Sequence, residues 1–180
     1  MTLGEAKERV LQLLDEYGSG GDEELEERMT GLIDMAQKRL AGIQRTVKAE
    51  EADCASGEWS LPADALGFYR LWVNGRLARS LRWVGEKLLL PPNAKSAVVE
   101  YFALPETVEE GSDDTMVLGI PETAAACLPF LVAGELLSAD LVQDGGGLLN
   151  IYRQMAAELD TALPGDAPGK VKNEIFGGGN

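Results

Sequence analysis

The side chains in this sequence that could do acid–base chemistry are mostly carboxylates, and they come in runs. Glu23-Glu24, Glu26-Glu27, Glu109-Glu110 and Asp113-Asp114 are adjacent pairs, and Asp140 and Asp144 are four apart. Two carboxylates can divide the roles of acid and base only where burial drives their pKa values apart. These runs fall in loops and in a first helical turn, where water keeps both members ionised. A divalent cation at Asp113-Asp114 would need further ligands at fixed spacing, as a calcium loop has, and none follow. The chain has no histidine, which removes Ser-His-Asp and Cys-His nucleophiles and most zinc and haem sites. Cys127 sits in an apolar run and reads as a small buried hydrophobe. Cys54 lies among Glu50, Glu51, Asp53 and Glu58, a negative setting that blunts a thiol as a nucleophile. Gly145-Gly146-Gly147 precedes a helix but lacks the strand, spacing and lysine of a phosphate-binding loop. No catalytic residue, metal ligand or cofactor is therefore expected, and the chain reads as a non-enzyme.

The three tryptophans, Trp59, Trp72 and Trp83, fall in one stretch of the chain. They could stack bases, but the order of residues around them matches no nucleic-acid module. Anchoring a core or an interface is the expected use. The charge supports this. The net is −14, unevenly spread. Residues 1–58 hold seven basic and fourteen acidic side chains, 59–104 six and three, and 105–180 three and thirteen. A basic island thus lies between two acidic flanks. Non-specific nucleic-acid binding needs a positive face to displace counterions, which this total disfavours. Pairing of acid with base between copies of the chain fits better.

With 45% hydrophobic and 26% charged residues, the composition is that of an ordinary globular chain. Folding at this length hides roughly 70% of the unfolded surface, enough for a core without staples. No apolar run approaches the ~20 residues of a bilayer span. The start, Met1 to Glu5, has no signal-peptide character. Two cysteines make no disulfide framework. A cytoplasmic origin with no membrane partner is expected.

The elements that must position these residues follow from their periods. Thr2 and Glu5 form a capping-box pattern ahead of Ala6, Val10, Leu13, Leu14 and Tyr17, predicting a helix over 3–17. Leu25, Met29, Leu32, Ala36, Leu40, Ile43 and Val47 step by three and four. They predict a second helix of about 26 residues, about 39 Å long at 1.5 Å per residue. Residues 49–58 read as a loop. The period then changes. Asn74-Gly75, where both turn residues must tolerate positive φ, predicts a hairpin between 68–73 and 76–84. Gly85-Glu86 predicts a second tight turn into 87–90. Short strands at 59–61 and 96–104 complete an antiparallel meander. The two-residue turn sets Trp72 opposite Leu77, Arg70 opposite Arg79 and Phe68 opposite Leu81. Neither face is cleanly polar, so both faces are expected to be covered, at least one by another chain or by the acidic helices. An acidic loop over 105–119 leads to Pro121 and a third helix over 121–139, apolar nearly all round and kinked at Pro129. Leu148, Ile151, Tyr152, Met155 and Leu159 mark a fourth. Residues 163–180, rich in proline and glycine, show no period and read as an extended arm held by a neighbouring subunit.

The expected fold is therefore α+β and mainly α. A four-helix core (helices within 1–48 and 120–162) carries an antiparallel meander at 59–104, all in one domain over 1–162, with an arm at 163–180. The order of its parts resembles the head–tail connector (adaptor) proteins of tailed bacteriophages and prophages. A short helix and a long amphipathic helix are followed by Trp59-Ser60-Leu61-Pro62-Ala63-Asp64, the meander, and Val99-Glu100-Tyr101-Phe102-Ala103-Leu104-Pro105. Then come Gly119-Ile120-Pro121-Glu122, the apolar helix from Leu128 to Leu137, and Asn150-Ile151-Tyr152-Arg153-Gln154-Met155. The resemblance covers roughly residues 2–162.

It implies a structural virion protein without a catalytic site or cofactor. It implies a homo-oligomeric, dodecameric ring in the neck of the virion, joined to the portal protein and to the next tail or stopper protein. DNA would pass through its channel during ejection without specific binding. Subunit or partner contacts are expected at Arg70, Arg76, Arg79, Arg82, Trp72 and Trp83 and, on the arm, at Lys170, Lys172, Ile175 and Phe176. Acids that repel phosphate suit a channel wall. Glu23, Glu24, Glu26, Glu27, Glu109, Glu110, Asp113 and Asp114 are the candidates. Three other readings use the same composition: another tail-completion or stopper protein, a small-ligand-binding helical module, and an acidic DNA mimic.

Overall fold

The computed structural model of the chain describes residues 1–16, 23–139 and 145–161. The fold is mixed, with helices before and after an antiparallel β insertion. Its elements are α1 (Leu3–Glu16), α2 (Glu23–Ile43), β1 (Thr46–Glu51), β2 (Glu58–Ser60), β3 (Ala65–Val73), β4 (Arg76–Leu77), β5 (Arg82–Val84), β6 (Lys87–Leu89), β7 (Ala97–Ala103), α3 (Glu122–Ala125), α4 (Leu128–Ala139) and α5 (Gly146–Thr161). Two compact units result. One combines Met1–Thr46 with the described residues from Leu104 onward, and the other holds Val47–Ala103.

The helical unit begins with the capping box that the sequence predicts. The Thr2 backbone N–H donates to Glu5 Oε2 at 2.9 Å, and the Glu5 N–H donates to Thr2 Oγ1 at 3.2 Å. Leu3, Ala6, Val10 and Leu14 of α1 and Met29, Ile33, Ala36 and Leu40 of α2 are buried at helical spacing. They pack around α4, whose Leu128, Leu131, Val132, Ala133, Leu136 and Leu137 are all buried. A helix without a polar face belongs at the centre, and α4 touches α1, α2 and α5. Glu122–Ala139 is apolar and long enough to match a membrane span by composition, but most of these side chains fill this core.

Two helix boundaries differ from expectation. The third helix is not one kinked rod but two helices, α3 and α4, separated at Ala126-Cys127. Pro129 has no N–H to donate and its ring crowds the carbonyl four residues back, at Ala125, where α3 stops. The second helix ends at Ile43, short of Val47. Thr46 and Val47 continue the three–four spacing by coincidence. Their β-branched side chains open β1 instead, which takes in the expected helix end and residues 49–51 of the expected loop, and Val47 is exposed.

The acidic stretch from Pro105 to Gly119 has no regular structure but is pinned at both ends. Gln37 Nε2 donates to the Glu106 carbonyl at 2.7 Å, and the Val108 N–H donates to Asp34 Oδ1 at 2.9 Å. Farther on, the N–H groups of Leu3 and Gly4, left without partners by the start of α1, donate to the carbonyls of Met116 and Asp114. Val108 and Leu118 are buried beneath it.

In the β unit, Asn74 and Gly75 have φ of 51° and 74°, the two positive values the hairpin requires. Trp72 pairs with Leu77 as expected. Beyond that the meander splits into two sheets, ordered β1-β7-β3-β4 and β2-β6-β5. β4 ends at Leu77, so neither Arg79 nor Leu81 reaches β3. Arg70 lies opposite Glu100, and Phe68 opposite Tyr101, both on β7. An arginine facing an arginine is unfavourable, and the pairing places an acid there instead. The inner faces meet in a core of Trp59, Leu71, Leu88, Leu90, Val99 and Tyr101. Trp59 leans on Tyr101 at 6.1 Å, and Phe68 meets Trp83 edge-on at 5.7 Å.

Candidate interaction surface

Strand alternation sends Arg70, Trp72, Val98, Glu100 and Phe102 to the face of the four-stranded sheet opposite that core. This layer is satisfied within the chain. Trp72 Nε1 donates to Glu100 Oε1 at 3.0 Å, the Arg70 guanidinium lies 4.3 Å from the centre of the Tyr69 ring, and that ring lies tilted against Phe102 at 4.8 Å. Arg70 and Trp72, both expected at an interface, are half-buried here. Trp83 is half-buried against Phe68.

Arg76, Arg79 and Arg82 differ. They lie on the stretch that leaves β3 at the hairpin and are exposed. Among the described residues no acid pairs with any of them. Two lysines of this unit are paired, Lys48 with Asp64 at 2.7 Å and Lys87 with Glu58. The hydrogen bond from Lys48 holds the Asp64 carboxyl below the usual aspartate range, against a smaller opposing effect of burial. Leu77 and Val84, on the same stretch as the arginines, are also exposed. The sequence reading placed both in a continuous strand and missed their exposure. The signal was the unfavourable Arg70–Arg79 pairing, which a strand ending at Leu77 relieves.

The acids divide as well. Asp113 Oδ1 accepts from the Thr115 N–H at 2.8 Å and from its hydroxyl at 2.7 Å, which lowers the Asp113 pKa. Asp114 pairs with Lys7 at 2.8 Å. Both thus hold the pinned stretch in place. Glu109 and Glu110 are exposed on a tight turn, and Glu26 and Glu27 are exposed on α2. Glu23 and Glu24 fall in the first turn of α2, but their side chains lie outside the described residues, as do Lys170, Lys172, Ile175, Phe176 and the expected arm.

For chemistry the described residues offer little. No group of three or more Cys, Asp or Glu side chains among them is arranged to hold a metal. Cys127 is buried, and burial, with Glu158 second, pushes its thiol up and away from the reactive thiolate. A shallow depression is lined by Ser60, Leu61, Val84, Glu86 and Lys87, but its ammonium is already paired to Glu58.

No family model matches the chain, and no curated protein matches it in sequence. The surface must therefore be read from its own chemistry. Among the described residues it presents Arg76, Arg79 and Arg82 without an ion pair beside exposed aliphatic side chains on one unit, and exposed glutamates without an ion pair on the other. Charge set beside exposed apolar area is chemistry suited to a protein contact.

Proposed function

We propose that this chain is a non-catalytic assembly subunit of a tailed-phage particle. In this reading it forms a ring that joins the portal to the next tail component and leaves a channel for DNA. The order of parts carries the proposal: an amphipathic helix pair, a β insertion after α2, an acidic connection, and an apolar central helix. That is the layout the connector resemblance implies. The lack of histidine and of a metal-holding group among the described residues is consistent with a structural role. Glu26 and Glu27, exposed on α2, are the acids best suited to a channel wall that repels phosphate.

Native mass spectrometry and electron microscopy of the full chain, alone and mixed with a portal, test this. A closed ring that docks on the portal is expected. A chain that stays monomeric in both settings defeats the proposal. A ring that seats below another ring, not on the portal, would move it to a stopper or tail-completion role.

A further inference from the structure

Three arginines without partners on one short stretch call for an explanation. The chain has 30 acidic and 16 basic residues, so acids to pair with are plentiful. Arg76, Arg79 and Arg82 do not, among the described residues. Beside them Leu77 is 50% and Val84 56% exposed. Charge and apolar area together mark a contact surface rather than a solvated one.

The chain also carries a surface of opposite charge. Glu109 and Glu110 sit on a turn closed by its own hydrogen bonds. The Ser112 N–H donates to the Glu109 carbonyl at 3.0 Å, and the Glu109 N–H donates to Ser112 Oγ at 2.9 Å. Gly111 takes a φ of 87°, which a residue with a side chain would resist. On one side the turn is anchored by Val108 on Asp34, and on the other by Asp113 and Asp114. Both glutamates are exposed, with no ion pair among the described residues. Five residues past Ser112 along the chain, Val117 is 68% exposed. A knob already held in shape loses little conformational entropy on docking.

We infer that the Arg76–Arg82 stretch of one copy receives the Glu109–Ser112 turn of a second copy. The contact is head-to-tail, because the two surfaces differ. Such contacts close into rings when the rotation per copy divides a full turn. The inference rests on the ring proposal and names the surface that would build it.

A charge swap tests it on the full chain. R76E/R79E/R82E and E109K/E110K are each expected to weaken self-association, roughly tenfold or more, in sedimentation velocity at low salt. The equimolar mixture should regain it, because every patch in an alternating assembly then meets a knob of opposite sign. Raised salt should weaken wild-type association. Tryptophan fluorescence and circular dichroism check that the variants fold in both units, and R76Q/R79Q/R82Q, with no new charge, should lose association to a lesser degree.

Rings that form equally well with either charge reversal overturn this inference and leave the ring proposal standing. Loss in each variant without recovery in the mixture shows that the two surfaces do not meet. A wild-type chain monomeric under all conditions defeats both. A duplex-DNA gel shift abolished by R76E/R79E/R82E, with assembly intact, assigns the arginines to nucleic acid instead.

Discussion

The helical unit is built around one enclosed apolar helix, and the β unit around a small core between two sheets. In the first, an apolar helix is enclosed by three others, and the irregular acidic stretch beside it is tied down by side chains chosen for the task. Asp34 accepts from Lys38, Gln37 and the Val108 N–H at once. In the second, a small core joins two sheets, while exposed aliphatic residues and unpaired arginines remain outside it. A unit that leaves charge and apolar area unmatched has surface available for another chain. The tryptophans make the contrast measurable. All three lie in the β unit, so their fluorescence reports on it, while circular dichroism at the helical band reports mainly on the other unit.

The largest effect should come from the tightest contact. A Cβ at Gly145 would stand 2.2 Å from the Gly134 carbonyl oxygen and 2.6 Å from Ser138 Oγ, where α5 starts against α4. Neither can yield without moving backbone or breaking the bond from Ser138 Oγ to that same carbonyl. Gly145→Ala is expected to cost about 3 kcal/mol in urea unfolding, read first in the helical signal. A shift of equal size in tryptophan fluorescence would mean that the two units unfold as one, and the contrast would fail.

Next comes the pin at Asp34. Burial alone would raise its pKa. The hydrogen bond from Lys38, those from the Val108 N–H and Gln37, and the charge of Lys38 outweigh burial and hold it below the usual 3.8. A depressed folded value means stabilisation that is full above the unfolded value and fades as pH falls through the folded one. Acid should therefore loosen the 105–118 stretch below about pH 4. Asp34→Ala should lose about 2 kcal/mol at neutral pH, because the Val108 N–H is left inside without an acceptor. It should also flatten the acid dependence. Hydrogen exchange at Val108 is the direct readout, and unchanged protection there would show that the stretch is held by its buried side chains alone.

On the β side the matching test is Asn74→Ala. Asn74 takes a positive φ, and its Oδ1 accepts from the N–H groups of Lys95 and Ser96 at 2.8 and 3.1 Å. Alanine there should cost about 1.5 kcal/mol, seen in fluorescence. A loss confined to the helical band would contradict the division into two units.

Much of this was legible in the sequence wherever the cause is local. The Thr2–Glu5 box, the Asn74-Gly75 turn and the central place of an all-apolar helix each follow from a few neighbouring residues, and Pro129 disturbs its helix as expected, though by a break rather than a kink. What stayed hidden depends on chain far away. Arg70 is opposite Glu100 because β7 returns to β3, and nothing near Arg70 says so. Val47 kept a helical spacing that pairing of β1 with β7 overrode. For the interaction surface, the arginines were visible as a cluster. Which of them would be spent inside the chain was not, since Arg70 differs from Arg76 only by the partner that long-range pairing supplies.

The smallest expected effect is a gain. Gly31 lies in the middle of α2 and is exposed, and a Cβ there would meet nothing within 4 Å. Glycine inside a helix costs backbone entropy that no contact of this chain requires. Gly31→Ala should therefore stabilise the helical unit by about 0.5–1 kcal/mol, with fluorescence of the β unit nearly unchanged. The test is sharp because the sign is fixed. A loss of stability would mean that this exposed stretch of α2 is not free within the chain, and that the helical unit is less complete than its buried core makes it.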